Sequence, residues 1–259
     1  MHDRATVEAA LELHEAGLNN CEIARRTGVS RPTVREWIGG RLPHSYRVAE
    51  EGREACVRCG SDEHGFERLG ADYVYLLGLY LGDGSIAGHP RSVYRLRVTL
   101  DVHYPGIVRE CEAAMREVVP RNRVSRQLRR CNCYEVHAYS KGWACLFPQH
   151  GPGKKHERRI YLSEWQQGLA KRWPDRLLKG LIHSDGCRSY STGAGGWTHP
   201  RYVFSNVSTD ITSIFCSACD CLGLRWTAAF PTDDSKAVAI YVSRKADVAT
   251  LDEFVGPKR

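Results

Sequence analysis

Long apolar runs are missing from this chain of 259 residues. No stretch approaches the roughly 18 consecutive apolar residues that a membrane-spanning helix needs, and the opening Met1-His2-Asp3-Arg4 does not resemble a secretory signal peptide. Without a secretory signal, the 11 cysteines predict reduced thiols or metal ligands rather than a disulfide framework. We therefore expect a soluble intracellular protein with no membrane partner.

Motifs for small-molecule chemistry are also missing. The sequence has neither a Gly-rich phosphate-binding loop nor a nucleophile motif, so nothing in it supports a small-molecule substrate. Its formal net charge is +7, a modest basic excess rather than an extreme one. This excess is compatible with a nucleic-acid partner.

Two nine-residue stretches of the chain are nearly alike. Residues 76–84 read Leu-Leu-Gly-Leu-Tyr-Leu-Gly-Asp-Gly, and residues 178–186 read Leu-Lys-Gly-Leu-Ile-His-Ser-Asp-Gly. Each is an apolar run with a central glycine that ends in Asp-Gly, a pattern that predicts a buried helix. The two aspartates, Asp83 and Asp185, lie 102 positions apart, so the repeated unit is a subdomain rather than a short solenoid module.

Two further landmarks recur in nearly the same register. A serine followed by a basic residue occurs at 140–141 and again at 243–244, and Lys155 corresponds to Lys258; both pairs are 103 positions apart. Each half also contains strand-like runs, one helix-like run and further strand-like runs. The sequence therefore predicts an α/β (α+β) fold that is duplicated within one chain, with halves over residues 71–160 and 161–259.

Glycines at equivalent positions of the two motifs predict how the motif helices pack. Gly78 and Gly180 each cost about 1 kcal/mol relative to alanine in a helix interior. Close backbone contact between the two helices is the simplest compensation for that cost. Gly84 and Gly186 are expected to stop the helices by taking a left-handed conformation.

The same arrangement would bring Asp83 and Asp185 together at helix C-termini, where the helix dipole disfavours negative charge. Two like charges 4 Å apart repel by roughly 4 kcal/mol at an effective dielectric constant near 20. A divalent cation would relieve the repulsion, and carboxylates and helix-end carbonyls are oxygen ligands that suit Mg²⁺. The alternative interpretation is that each Asp-Gly is merely a turn after a core helix.

Residues 1–42 have the pattern of a small helical domain. Residues 6–16 and 21–27 predict two helices, and Ser30 is placed to cap a third. The run over residues 23–37 resembles a helix-turn-helix DNA-binding domain. In that interpretation the third helix directs polar side chains toward the major groove, namely those of Arg31, Thr33 and Arg35. A three-helix bundle that binds protein is the alternative.

The linker over residues 43–70 is charged and contains Cys56 and Cys59 in a Cys-x-x-Cys-Gly arrangement. This arrangement has the shape of a zinc knuckle, so we predict a structural Zn²⁺ site there. Zinc takes four ligands and only two are obvious. The candidates for the others are His64, or Cys131 and Cys133.

Basic residues follow the predicted strands. Residues 94–100 alternate, with apolar side chains on one side and Arg95 and Arg97 on the other. Residues 121–130 hold five arginines around an expected hairpin, whereas the second half is less basic. A basic strand face suits a sheet laid along a duplex, and the asymmetry indicates two half-sites contacted differently. A charged face that is simply solvated is the alternative.

The two Asp-Gly motifs are those of the LAGLIDADG homing endonucleases, which residues 71–259 resemble in their single-chain, two-motif form. The resemblance implies two αββαββ halves whose motif helices form a central seam and whose sheets form a saddle over double-stranded DNA. It implies a monomer with internal pseudo-two-fold symmetry that cleaves DNA hydrolytically with divalent metal. We therefore expect a cytoplasmic protein, associated with the nucleoid if the source is prokaryotic.

The resemblance also assigns roles to residues of this chain. Asp83 and Asp185 would be catalytic ligands of Mg²⁺, and Lys155 (or its neighbour Lys154) and Lys258 would stabilise charge near the phosphate. The expected DNA contacts beyond the helix-turn-helix are basic side chains of both halves: Arg95, Arg97, Arg123, Arg126, Lys141, Lys154 and Arg244.

A second function is open at this point. Some relatives of this fold act as transcription regulators that bind DNA without cutting it, and a free-standing nuclease does not need a helix-turn-helix domain. The retained pair of motif acids favours a Mg²⁺-dependent endonuclease, whereas the additional DNA-reading domain favours a regulator. The sequence shows no intein splice junctions, so we do not expect an intact intein.

Overall fold

The computed structural model describes residues 2–43, 46, 56, 58–59, 61, 64–90, 93–192, 196, 198–230, 236–256 and 258. Most of the linker expected over 43–70 therefore lies outside the described residues. The chain divides into two compact units, Met1–His64 with Pro90–Ser92, and Gly65–His89 with Val93–Arg259. The finer boundaries at residues 42, 70 and 160 stay predictions. Within the described ranges, no helix is long and apolar enough to cross a membrane.

Three helices form the described part of the smaller unit: α1 (Arg4–Glu15), α2 (Asn20–Thr27) and α3 (Arg31–Ile38). Helix α2 begins one residue earlier than predicted because Asn19 and Glu22 form a reciprocal capping box. Helix α3 begins where predicted, since the Ser30 side chain accepts a hydrogen bond from the Thr33 backbone N–H. Between these helices Gly28 adopts a left-handed conformation with φ 69°, which glycine takes without strain.

The core of this unit is small and apolar. Its buried members come from all three helices and the residues that follow them: Val7, Ala10, Ile23, Val29, Val34, Trp37 and Tyr46. The exposed polar side chains of α3 lie on its outer face, away from this core.

The larger unit contains the predicted duplication. Its first half runs α4 (Ala71–Leu81), β1 (Gly84–His89), β2 (Val93–Asp101), α5 (Pro105–Val118), β3 (Val124–Arg129), β4 (Cys133–Ser140) and α6 (Trp143–Leu146). After α7 (Glu164–Arg172), the second half runs α8 (Pro174–Asp185), β5 (Gly186–Thr192), β6 (Thr198–Asn206), α9 (Thr209–Cys221), β7 (Thr227–Ala229), β8 (Val238–Val242) and α10 (Lys245–Phe254). The α-β-β-α-β-β order thus occurs twice.

Each half builds one four-stranded antiparallel sheet, in the orders β1-β2-β4-β3 and β5-β6-β8-β7. In the first sheet Leu96 pairs with Ala138 and Val98 with Val136, and all four side chains are buried against the helices. Arginines 95 and 97 lie on the opposite, open face, as the alternation predicted. The core thus lies between the sheets and the helices that cover one face of each.

The motif helices α4 and α8 form the central seam of this unit, and their glycines explain how closely they approach. A Cβ placed on Gly78 would lie 2.7 Å from the Leu177 carbonyl oxygen, and one placed on Gly180 would collide with the Tyr75 carbonyl oxygen. Larger residues would push the helices apart. The close helix contact predicted from the two glycines is therefore confirmed.

The role predicted for Gly84 and Gly186 is wrong. Neither has the positive φ of a left-handed helix stop; Gly186 is extended, with φ −117° and ψ 172°, and both begin strands. The glycines are needed because the chain folds back sharply onto the helix. A Cβ on Gly84 would collide with the Tyr80 Cα, and a Cβ on Gly186 would lie 2.8 Å from the Ile182 Cα.

Candidate functional site

Asp83 and Asp185 stand at the same end of the central seam. Asp185 is the last residue of α8, and Asp83 follows the end of α4 by two residues. A Cβ placed on Gly82 would lie 2.7 Å from Asp185 Oδ2, so the second carboxylate reaches the residue next to the first. The glycine-mediated approach of the two helices therefore brings the two acids together.

The environment of the pair disfavours two negative charges. Asp83 is open to solvent on one side, while surrounding protein atoms shield the rest of its carboxyl group. This burial, together with the negative charge of Asp185, raises the pKa of Asp83 to about 6. Burial also raises the pKa of Asp185, and the hydrogen bond that Asn206 Nδ2 donates to its Oδ2 at 2.7 Å opposes the shift. The site is thus acidic and partly open, and burial is the main cause of the raised pKa values.

Lys155 reaches the same point from the loop after the first half. Its Nζ donates to the carbonyl oxygens of Gly82 at 2.6 Å and Gly84 at 2.8 Å, and also to that of Tyr80. Burial lowers the pKa of Lys155 to about 8, while the charges of Asp185 and Asp83 oppose the shift. The ammonium group therefore occupies the carbonyls at the end of α4, which corrects the expectation that these oxygens would be available to a cation.

The structure distinguishes Lys155 from Lys154. Lys154 is exposed and lies 3.5 Å from Glu157, so of the two lysines only Lys155 contacts the seam. In the second half Lys258 Nζ donates to the Ser184 carbonyl at 3.4 Å, and burial lowers its pKa while Asp83 and Asp185 oppose the shift. Each motif helix thus has a lysine from its own half at its C-terminal end.

Arg158, which no sequence pattern predicted as part of the site, organises the loop that carries Lys155. Its guanidinium donates to the carbonyl oxygens of Gln149 at 3.0 Å, Gly151 at 2.9 Å and Gly153 at 2.7 Å. Arg158 therefore holds together the loop that precedes Lys155.

Asn206 was also missed, because the repeat does not preserve it. Phe204 pairs with Gly186 in the second half as Val98 pairs with Gly84 in the first half. Asn206 lies two residues after Phe204, so its counterpart in the first half is Leu100, two residues after Val98. Leu100 is buried in the core, whereas Asn206 contacts Asp185. A cavity of about 250 Å³ opens beside this contact, lined by Leu81, Gly82, Lys155, His156, Asp185, Ser205, Asn206, Val207, Ile211 and Ala237.

The open face of the first sheet carries an ion-pair network centred on Glu135, which the alternation along the strand did not predict. Arg129 Nη2 lies 2.7 Å from Glu135 Oε2, Arg95 pairs with Oε1, and Arg97 donates to Ser85 Oγ at 2.7 Å. Burial would raise the pKa of Glu135, but the hydrogen bond from Arg129 and the charges of Arg95 and Arg129 lower it. The predicted basic face is therefore partly neutralised, and its guanidinium groups are held in place.

Arg126 does not belong with these arginines. It pairs with Val136, whose side chain is buried against the helices, and its Nε lies 3.6 Å from Glu112 Oε1 on α5. Its guanidinium also lies 5.3 Å from the centre of the Tyr134 ring. Arg126 therefore lies on the side of the sheet that α5 covers, because residues that pair across strands point to the same side of a sheet.

The remaining predicted DNA contacts are exposed at strand ends and in loops: Arg123, Lys141, Lys154 and Arg244. The open face of the second sheet is less charged, as expected. Arg201 lies there with its guanidinium 4.7 Å from the centre of the Tyr241 ring, and it pairs across the strands with the small residue Ser189.

On α3 the predicted contacts differ in availability. Arg31 and Arg35 are exposed, whereas the half-buried Thr33 places its Oγ1 2.8 Å from Ser30 Oγ at the start of the helix. Thr33 therefore supports the helix start, and the two arginines form the outward basic surface together with the exposed Arg41.

The predicted zinc ligands of the smaller unit also approach each other. Cys56, Cys59 and His64 have ligand atoms within 4.8 Å of one another. Cys131 and Cys133, the other candidates, lie at the β3–β4 turn of the larger unit, where Cys133 Sγ donates to the Cys131 carbonyl at 3.5 Å.

Comparisons with known proteins bear on both units. Residues 2–39 match the family model of a homeodomain-like domain, and no curated protein sequence matches the chain. Among solved structures, I-DmoI in complex with DNA and Mn is similar at 14% identity, covering 71% of this chain and 96% of that chain with a TM-score of 0.49. Full-length DUF199/WhiA from Thermatoga maritima is similar at 15% identity, covering 73% and 56% with a TM-score of 0.46.

The N-terminal LAGLIDADG domain of DUF199/WhiA is similar to the same extent, at 14% identity and a TM-score of 0.46, covering 74% of this chain and 87% of that chain. At such identities the likeness concerns the fold alone. The α/β architecture and the helical N-terminal unit agree with the fold class predicted from the sequence.

Proposed function

We propose that this protein is a DNA-binding protein of homing-endonuclease type that hydrolyses the backbone of double-stranded DNA, using a divalent cation held by Asp83 and Asp185. The observation that carries the proposal is the meeting of these two carboxylates at the end of the glycine seam, with a lysine from each half beside them. A structural turn after a core helix would not need two partly solvated acids at the same end of the seam.

The residues present fit a divalent cation. Burial is the main cause of the raised pKa values of Asp83 and Asp185, the Asp185 charge adds to the shift of Asp83, and Asp83 remains open to solvent. Carboxylate oxygens are ligands that Mg²⁺ accepts together with water and phosphate oxygens. Since Lys155 occupies the carbonyls at the end of α4, the two carboxylates are the ligands that this chain would supply.

When bound, the cation would polarise the scissile phosphate and lower the pKa of a water molecule. The roles of the protein groups follow from their contacts. Asn206 holds one oxygen of Asp185 and fixes the direction of that carboxylate. Lys155 and Lys258 supply positive charge at the two helix ends, where charge develops on a phosphate during hydrolysis.

Binding of the duplex would use the open faces of both sheets. The guanidinium groups of Arg95, Arg97 and Arg129 are held by Glu135 and Ser85, so little side-chain entropy is lost when they contact phosphates. The less charged second face would contact its half-site differently. The exposed Arg31 and Arg35 of α3 would give the chain a second DNA-reading surface.

A regulator that binds DNA without cutting it is the second candidate function. The observation that favours it is the homeodomain-like match over residues 2–39. A regulator of this type would bind its site with strong salt dependence, since contacts to six to ten phosphates weaken binding by about 10³ to 10⁵ between 50 and 200 mM salt.

Cleavage of a plasmid library with randomised inserts tests the two functions against each other. With Mg²⁺, the full-length chain should cut a recoverable subset of sites, and Asp83→Asn and Asp185→Asn should abolish cutting while duplex binding persists. Asp175→Asn, at the other end of α8, serves as a matched control and should cut normally. Sites that are bound but never cut with Mg²⁺ or Mn²⁺ would support the regulator, and unchanged cutting in both variants would remove the carboxylates from the mechanism.

A further inference from the structure

A cluster of two cysteines and a histidine in the smaller unit has no role in the proposed DNA cleavage. Cys56 and Cys59 are separated by two residues, and His64 follows five positions after Cys59. The ligand atoms of all three lie within 4.8 Å of one another. We propose that these residues bind a zinc ion that holds the C-terminal part of this unit.

The distances within the cluster match those of a zinc site. Zn–S bonds of about 2.3 Å and Zn–N bonds of about 2.0 Å in a tetrahedron place sulfur and nitrogen ligands about 3.5 Å apart. The Cys59 Sγ to His64 Nε2 distance is 3.5 Å. This distance matches the sulfur–nitrogen separation of a tetrahedral zinc site, and Cys56 Sγ lies within 4.8 Å of both other ligand atoms.

The backbone supports the same geometry. The Cys56 N–H donates to the Ser61 carbonyl oxygen at 2.7 Å, which closes the chain into a tight loop around the turn at Arg58 and Cys59. A loop of this kind directs both cysteine side chains of a Cys-x-x-Cys pair to one side. The combination of two thiolates and an imidazole favours zinc over the hard cation proposed for the aspartate pair.

Composition gives a reason for a metal at this place. Residues 44–64 contain few large apolar side chains, so burial alone can contribute little to their folding. A zinc ion contributes folding free energy directly, because the unfolded chain has no assembled site. The site ends seven positions before Ala71, where the first motif helix begins.

Zinc content of the purified full-length chain is the first measurement. We expect one zinc per chain by mass spectrometry, loss of zinc in a Cys56→Ser and Cys59→Ser double variant, and retention in Cys21→Ser, an exposed cysteine on α2 of the same unit. Absence of zinc from the wild-type chain, or equal zinc in the double variant, would overturn the proposal. The contact between Cys59 and His64 would then be a thiol–imidazole hydrogen bond.

Replacement of His64 distinguishes ligand loss from misfolding. His64→Cys should keep one zinc, since a third thiolate can substitute for the imidazole, whereas His64→Ala should lower zinc affinity at least tenfold. After exchange for Co²⁺, the thiolate-to-cobalt absorption should increase in His64→Cys and decrease in Cys59→Ser. The same absorption in all variants would contradict the assignment.

The fourth coordination position belongs to a further side chain or to water. Serine variants of the remaining cysteines, measured by the same Co²⁺ absorption, identify which. These readouts need no DNA, so failure of the zinc proposal and failure of the cleavage proposal are separate results.

Discussion

Gly78 and Gly180 face each other across the α4–α8 seam so closely that a Cβ on Gly78 would lie 2.8 Å from the Gly180 Cα, and a Cβ on Gly180 would lie 2.9 Å from the Gly78 Cα. No real Cβ tolerates such distances from backbone atoms. The contact fixes the separation of the two helices, and that separation fixes the distance between the acids at their ends.

Alanine at either position should destabilise the larger unit. Overpacking of a tight interface costs about 1 to 3 kcal/mol, and this exceeds the gain in helix propensity of up to about 1 kcal/mol. We therefore expect Gly78→Ala and Gly180→Ala to lower the free energy of unfolding, measured by urea denaturation.

The matched control is Gly168→Ala on α7, where no described atom lies within 4 Å of an added Cβ. Because only propensity acts there, this variant should be neutral or stabilised by up to about 1 kcal/mol. A destabilisation equal to that of Gly78→Ala would mean that the seam is not the cause.

The pH dependence of stability should reveal the strained acid. The pKa of Asp83 is about 6 in the folded chain and about 3.9 in an unfolded one, so between these values the folded state retains a proton that the unfolded state has released. In the absence of divalent metal, the stability contributed by this proton is complete below about pH 4 and is lost as the pH rises through about 6.

Asp83→Asn removes this dependence. At pH 7 it should stabilise the metal-free chain by about 1 kcal/mol, a value reduced from the full shift because Asp83 is partly solvated. Denaturation in chelator from about pH 2 to pH 8 measures it and also covers the range in which the control below changes. Asp101 is the control of opposite sign: hydrogen bonds from His103 lower its pKa, so its contribution is present above about pH 4 and is lost on acidification.

Two arginines of the first sheet should differ in their effect on DNA binding. Arg97 lies on the open face, whereas Arg126 lies on the face covered by α5. If the open face contacts phosphates, Arg97→Ala should weaken duplex binding and reduce the slope of log affinity against log salt by about 1.

The companion variant Arg126→Ala should leave both the affinity and the slope nearly unchanged. Fluorescence anisotropy over a range of salt concentrations measures the two together. Equal losses in both variants would indicate that the duplex approaches from another direction.

The duplicated fold was predictable because its determinants are local and periodic. The repeat distance between Asp83 and Asp185 and the alternation along residues 94–100 are periodic patterns that can be recognised in the sequence itself. The central glycines of the two motifs indicate a single close backbone contact. Their outcomes agree with the structure. Gly84 and Gly186 were misinterpreted because a glycine required by a close tertiary contact leaves the same sequence signal as one required by a positive φ.

The contacts that complete the site were not predictable in the same way. Asn206 has leucine as its counterpart in the first half, and Arg158 acts on the carbonyls of a loop whose path the sequence does not reveal. The alternation along its strand predicts that Glu135 is an ordinary surface residue. In the structure, three arginines on the same face of the sheet form ion pairs with it. Such contacts depend on which strands pair and in what register.

Binding of Mn²⁺ to the full-length chain in the presence of duplex DNA tests the central claim most directly. Electron paramagnetic resonance titration measures free Mn²⁺ without relying on cleavage. The paired-carboxylate site predicts that Asp83→Asn and Asp185→Asn each lower Mn²⁺ affinity at least tenfold, while Asp175→Asn binds as the wild type does. Equal Mn²⁺ affinity in the wild type and in both seam variants would contradict it.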